Sequence, residues 1–409
     1  MDKYRGKYNF PYKFMKMQSW SAGIFRKTGS NICSTPKSKY AGCIAILLAF
    51  AVFTGCSARE AGREEINSGG KKITVLSDKS TVQEVSHAAA DSLDAEKIDR
   101  YEGIRGEDWL SDDSILITKE NSKLEPVSVS DQMSTIRNLY SYDLKTKEEK
   151  SIFKEEDFIW KAVVSPDRTH IFAMELGTVD NTGMISDLDG SVKAQIKDDA
   201  EKAFRISFNS ARWVNNEEVI APSSKDGVSL INLNSGISMI DSIGRMQTDD
   251  AVKAGNEIYY VSTERELVAY NIGIKQDKAI KSGVLNFELS PDKELFAIEK
   301  KVDKNREALV LAGLDGTEKA TLAEAKMIFG ISWSPDQTKL AYVIISEDDS
   351  KSGLYITDLA SGKSIYISAD YINMDGSLRW SPSGKKILAS ISEVKDMKLI
   401  DNTYIITLK

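Results

Sequence analysis

Three observations predict an all-β fold, a β-propeller of seven four-stranded blades with six as the alternative count. A Ser-Pro-Asp turn flanked by short apolar runs recurs between about residue 105 and residue 409. A second pattern, an apolar run closed by Asp or Asn, then Leu and a turn, follows each copy. The two alternate seven times, with first-pattern anchors at Ser111, Ser165, Asn215, about Ala254, Ser290, Ser334 and Ser381. Their separations of 54, 50, about 39, about 36, 44 and 47 residues suit either propeller blades or helical arrays.

Local chemistry chooses the blades. In Ile331-Ser-Trp-Ser-Pro-Asp336 and Phe287-Glu-Leu-Ser-Pro-Asp292, Pro presets the turn and the Asp side chain caps it. The runs that follow, such as Leu340-Ala-Tyr-Val-Ile-Ile345, are too short for a helical i, i+3, i+4 stripe. They are apolar on both faces, as a strand packed between two neighbouring blades must be. The second pattern, as in Gly353-Leu-Tyr-Ile-Thr-Asp-Leu-Ala-Ser-Gly362, ends in a hairpin signal. Each unit therefore reads as four strands. The first ends at the Trp or Leu before Ser-Pro, and the fourth is an alternating segment such as Ser364-Ile-Tyr-Ile-Ser368. The last unit lacks its fourth strand at Lys409, and an N-terminal strand, Lys72-Ile-Thr-Val-Leu76, is expected to supply it and close the ring, hiding edges that invite aggregation.

The amino terminus has a different character. Residues 1–55 hold nine basic residues and one acidic residue, and an uncharged run extends from Tyr40 through Ala58. A basic segment, about fifteen apolar residues and then small residues form the layout of a secretory signal, shorter than the roughly 20 residues a spanning helix needs. Phe53-Thr-Gly-Cys56 resembles a bacterial lipobox, with Phe where Leu is usual, which implies lipidation of Cys56 at a new amino terminus. Starts at Met15 or Met17 give a signal of more ordinary length. Of the three cysteines, Cys33, Cys43 and Cys56, cleavage leaves only Cys56, so a disulfide or thiolate zinc site is not expected. Residues 56–71, polar with a Gly69-Gly70 pair, have the composition of a flexible tether, and the propeller is expected over residues 72–409. The chain carries 54 basic and 61 acidic residues, and the mature part 45 and 60, a net charge of −15. That balance disfavours nucleic acid as a partner.

Catalytic and cofactor motifs are absent from the sequence. The two histidines, His87 and His170, accompany no Gly-x-Ser-x-Gly elbow, and no Gly-rich phosphate loop is present. Acidic clusters at Glu155–Asp157, Asp198-Asp199, Asp249-Asp250 and Glu347–Asp349 lack the ligand spacing of a calcium loop and read as solvated surface. Trp109, Trp160, Trp213, Trp333 and Trp380 stand near the start of repeats, a position that suggests blade-to-blade packing rather than a ligand cage.

The Trp-Ser-Pro-Asp unit at Trp333 and the Leu-Tyr-Ile-Thr-Asp-Leu-Ala-Ser-Gly unit after it resemble the propeller repeat of the TolB type, which also occurs in exported propeller lipoproteins and in prolyl-oligopeptidase-type peptidases. The resemblance covers about residues 105 to 409, strongly at Ser165, Ser290, Ser334 and Ser381. It departs from TolB in leaving no room for an α/β domain ahead of the ring, and from WD40 repeats in having no Trp-Asp dipeptide. It implies a monomeric, non-catalytic scaffold on the extracytoplasmic face of a bacterial membrane, without cofactor or metal, binding an envelope or membrane protein. The alternatives are an accessory sensor lipoprotein beside a membrane kinase or secretion complex, and a hydrolase-related propeller with enzymatic activity.

Overall fold

The computed structural model describes residues 63–68, 71–76, 95–129, 132–177, 180–198, 210–223, 227–234, 236–244, 246–368, 371, 378–395 and 398–409. The chain divides into Met1–Glu60 and Ala61–Lys409. The first unit, with Cys56, lies outside the described residues, as does His87.

Seven four-stranded antiparallel sheets follow one another along the second unit. Blade 1 is Arg105–Ser111, Ser114–Glu120, Arg137–Asp143 and Glu149–Ser151. Blade 2 is Ile159–Val164, His170–Glu175, Thr182–Asp187 and Val192–Lys197. Blade 3 is Arg212–Trp213, Glu218–Pro222, Val228–Asn232 and Gly236–Ile240. Blade 4 is Met246–Ala254, Glu257–Ser262, Glu266–Asn271 and Gln276–Ser282. Blade 5 is Val284–Leu289, Leu295–Lys301, Glu307–Gly313 and Glu318–Ala325. Blade 6 is Met327–Trp333, Lys339–Ile345, Gly353–Asp358 and Ser364–Ser368. Blade 7 is Arg379–Trp380, Lys386–Lys395 and Lys398–Leu408, with Ala95–Glu102 as its fourth strand.

Seven blades, not six, is thus the count. An N-terminal strand closes the ring as expected, but it is a different strand. Ala95–Glu102 pairs with Lys398–Leu408, Arg100 opposite Tyr404, whereas Lys71–Leu76 pairs with Arg63–Ser68 in a separate hairpin. Lys72–Leu76 has the cleaner run of β-formers. The true closing strand, Ala-Glu-Lys-Ile-Asp-Arg-Tyr-Glu, is charged because it lies on the rim, with one face in water.

The first strand of each blade lies innermost and the fourth outermost. First strands of successive blades are in contact at five of the seven junctions, blade 7 with blade 1 among them, while fourth strands such as Gly236–Ile240 are largely exposed. The core is divided among the junctions. Leu388 and Ile405 of blade 7 pack on Ile104, Trp109, Ile115 and Ile117 of blade 1. Equivalent buried clusters fill the other six junctions. Each blade buries both faces, which explains the two-sided apolar runs of the second and third strands.

The Ser-Pro-Asp element joins the first strand to the second. Ser334 is fully buried; its Oγ donates to Asp336 Oδ1 at 2.7 Å and accepts from the Lys339 amide at 2.9 Å. Ser165 and Ser290 repeat both contacts. The fourth turn residue is left-handed in every copy, at Arg168 (φ 63°), Lys293 (φ 64°), Gln337 (φ 60°) and Gly384 (φ 68°).

Candidate functional site: a charged axial channel

Among the described residues, the repeat serines Ser165, Ser290 and Ser334 and His170 are engaged in structure. The turn serines hold turns. His170 stands half-buried at the blade 2–3 junction, its ring 6.5 Å from that of Trp213. Its Nδ1 lies 2.8 Å from Thr169 Oγ1 and its Nε2 3.5 Å from Asp187 Oδ1. The Thr169 hydroxyl donates its proton to Asp167 Oδ1 at 2.8 Å, so it cannot also hand that proton to the imidazole.

Four of the five tryptophans act between blades, as expected. Trp109, Trp213, Trp333 and Trp380 donate their indole N–H to the carbonyls of Arg379, Val163, Glu288 and Ser332, at 2.9, 3.1, 3.2 and 3.1 Å. Each acceptor belongs to the innermost strand of the preceding blade. Trp160 departs from this pattern and is 41% exposed.

Charged side chains from non-adjacent blades meet, and innermost strands allow this only at the axis. Arg212 of blade 3 binds Asp250 of blade 4 through Nε and Nη2 at 2.9 and 2.6 Å. It also binds Glu288 of blade 5 through Nη1 and Nη2 at 2.6 and 2.8 Å. The guanidinium is enclosed, and although desolvation opposes its charge, the two carboxylates hold it well above the ordinary arginine range. Asp250, read from the sequence as solvated surface, is therefore a channel residue, 13% exposed in its side chain. Glu347, Asp348 and Asp349 are exposed as expected. Among the described residues no group of three or more His, Cys, Asp or Glu side chains is placed to hold a metal ion.

Lys161 of blade 2 and Arg379 of blade 7 lie on the innermost strands to either side of blade 1. The Lys161 amine is pushed down to about 8, first by desolvation and then by the charges of Arg379 and Arg212, against the opposing pull of Glu107 and Asp250. Sequence reasoning missed Lys161, Arg212, Glu288 and Arg379. For Arg212, Glu288 and Arg379 the signal was a charged residue just before the last residue of the first strand, as in Arg212-Trp213, Glu288-Leu289 and Arg379-Trp380; Lys161 stands mid-strand and gave none.

No family model matches the sequence. Among solved structures, the chain is similar to an oligogalacturonate lyase from Vibrio parahaemolyticus, with 11% identity over 85% of this chain and 96% of that one, TM-score 0.54. It is similar to the β-propeller domain of Cps50 (Swd1) from Myceliophteria thermophila, with 12% identity over 77% of this chain and all (100%) of that one, TM-score 0.50. TolB from Acinetobacter baumannii is also similar, with 14% identity over 64% of each chain, at a lower TM-score of 0.43. At these identities the likeness is one of fold, shared by enzymes and by proteins that are not. The chain is a seven-bladed β-propeller whose innermost strands line an axial channel with both signs of charge.

Proposed function

We propose that the protein is an exported lipoprotein, anchored by a lipid on Cys56, whose propeller is a non-catalytic scaffold for a protein of the cell envelope or membrane. The observation that carries the scaffold reading is the engagement of Ser165, Ser290, Ser334 and His170 in turns and junctions. What remains for recognition is the set of loops and the channel that a closed ring presents at its two ends. The signal layout and the Phe53–Cys56 motif support the anchor.

Crosslinking in intact cells tests this. The tagged full-length chain and its Cys56→Ala form are crosslinked, and captured proteins are identified by mass spectrometry. The expected result is a specific envelope protein caught with the anchored form and lost with Cys56→Ala. The absence of any partner in both forms, together with lyase or hydrolase activity of the purified chain, would overturn the reading.

A further inference from the structure

Blade 1 has a short outer edge. Its fourth strand, Glu149–Ser151, has three residues, where the fourth strands of the other blades have five to eight. A cavity of about 410 Å³ lies between residues 152–157, which lead on from that strand, and the outer strands of blade 2. Its wall on the blade 1 side is fixed by hydrogen bonds. The fully buried Asn138 donates its side-chain amide to the Glu155 and Asp157 carbonyls at 2.8 and 3.0 Å, and the Lys154 amide donates to Asp157 Oδ2 at 3.1 Å. Gly190 (φ 89°) closes one end, so near Ile152 that a Cβ would stand 1.9 Å from its carbonyl oxygen.

The cavity has an apolar end and a charged end. Ile152, Phe153, Met184 and Val192 line the first. Glu175, Thr182 and Lys197 stand in register across three strands of blade 2 and form the second with Asp157. Glu175 and Asp157 are half-buried, whereas Lys154 and Lys197 are exposed. The fixed charges inside are therefore negative, and the lysines reach water on flexible stems. The Glu175 carboxylate takes no hydrogen bond and forms no ion pair among the described residues.

We propose that this cavity binds a small amphipathic amine, its apolar body against Phe153, Met184 and Val192 and its ammonium group on Glu175 and Asp157. An ammonium there gives both carboxylates a charge-assisted donor and offsets their mutual repulsion. The state of Glu175 agrees with this. Burial first, and then the Asp157 charge, raise its carboxyl above the ordinary value against the pull of Lys197. The volume lies toward the lower end for small-molecule pockets, which suits one ring or a short chain. The site is separate from the protein-scaffold reading and stands or falls independently of it.

Isothermal titration of the purified full-length chain at neutral pH tests the site with three probes that share one ring and differ in the head group: phenethylamine, phenethyl alcohol and 3-phenylpropionate. Phenethylamine should bind about tenfold more tightly than either of the others. Glu175→Gln keeps the shape of the side chain and should remove most of that preference. Lys197→Gln, at an exposed position, removes a repelling cation and should strengthen amine binding by roughly two- to fivefold. Absence of phenethylamine binding overturns the proposal, as does equal or tighter binding of the alcohol or the carboxylate. Amine affinity unchanged in Glu175→Gln also overturns it. Should Glu175→Gln fail to fold, the order of the three probes and the Lys197→Gln variant decide, and amine binding that is unchanged or weaker in Lys197→Gln overturns the proposal.

Discussion

Trp380 on blade 7 donates its indole N–H to the Ser332 carbonyl on blade 6 at 3.1 Å, and the same link recurs at Trp109, Trp213 and Trp333. Each indole both fills a junction and ties its blade to an inner-strand carbonyl of the preceding blade. Trp380→Phe keeps most of the ring volume and loses the hydrogen bond, and should cost about 1 kcal/mol. Trp109→Ala empties a fully buried site and should cost about 3–5 kcal/mol. Trp160→Ala, at an exposed ring, should cost less than about 1 kcal/mol. Urea midpoints of the three variants check this order.

The ring closes with more than a strand. Arg137 of blade 1 is ion-paired with Asp401 of blade 7, both buried, and Ser392 Oγ donates to the other Asp401 oxygen at 2.5 Å. Asp401→Ala leaves a buried guanidinium unpaired and should cost about 3–5 kcal/mol. The double variant Arg137→Met, Asp401→Leu removes both charges and should recover most of that loss. Chemical denaturation of single and double variants provides the cycle.

The closing strand separates two deletions. Removal of 95–102 strips Lys398–Leu408 of its outer partner and should abolish cooperative unfolding of the propeller. Removal of 63–76 takes away a hairpin paired with itself and should leave the melting temperature unchanged. Calorimetry of the two forms reads the contrast directly.

The turn aspartates set the acid limit. Burial alone raises the Asp336 carboxyl, but hydrogen bonds from Ser334 and Thr338 outweigh it and hold the group below its ordinary value. A depressed folded value means stability that is complete above the unfolded value near 3.8 and is lost as pH falls through the folded one. Asp336→Asn should cost about 1 kcal/mol at neutral pH and flatten the fall of stability below about pH 4. The urea midpoint measured against pH checks both effects.

Lys161 is depressed too, but as a base it costs stability at neutral pH. Its folded value of about 8 lies below the ordinary 10.5, so the unfolded chain binds more protons between them and stability rises with pH over that window. Lys161→Met should therefore stabilise the protein at neutral pH by about 1–2 kcal/mol, and the gain should shrink as pH rises from about 8 toward 10.5.

Much of the ring was legible because its repeat is enforced by turn chemistry. Ser165, Ser290, Ser334 and Ser381 are buried at equivalent turns, so the motif persists wherever that turn does. Blade 4 was faint for a physical reason. Its first and second strands are joined by a tight hairpin at Gly255 (φ 58°), with Ala254 opposite Glu257, and need no Ser-Pro-Asp. Lys293 of blade 5 reaches past that shortened turn to the Val214 carbonyl of blade 3 at 2.9 Å. The channel was not legible, because residues such as Arg212 and Glu288 are 76 positions apart and meet only through closure of the ring. The closing strand was misplaced because a rim strand looks less β-like than Lys72–Leu76, although it does more for the fold.

The proposed export and anchoring through Cys56 are tested most directly by the mass of the amino-terminal peptide. Protein recovered from the membrane fraction of cells should begin at Cys56 and carry the added mass of a lipid, and Cys56→Ala should leave the membrane fraction. A chain that keeps residues ahead of Cys56, or a Cys56 without lipid in the soluble fraction, would contradict the account.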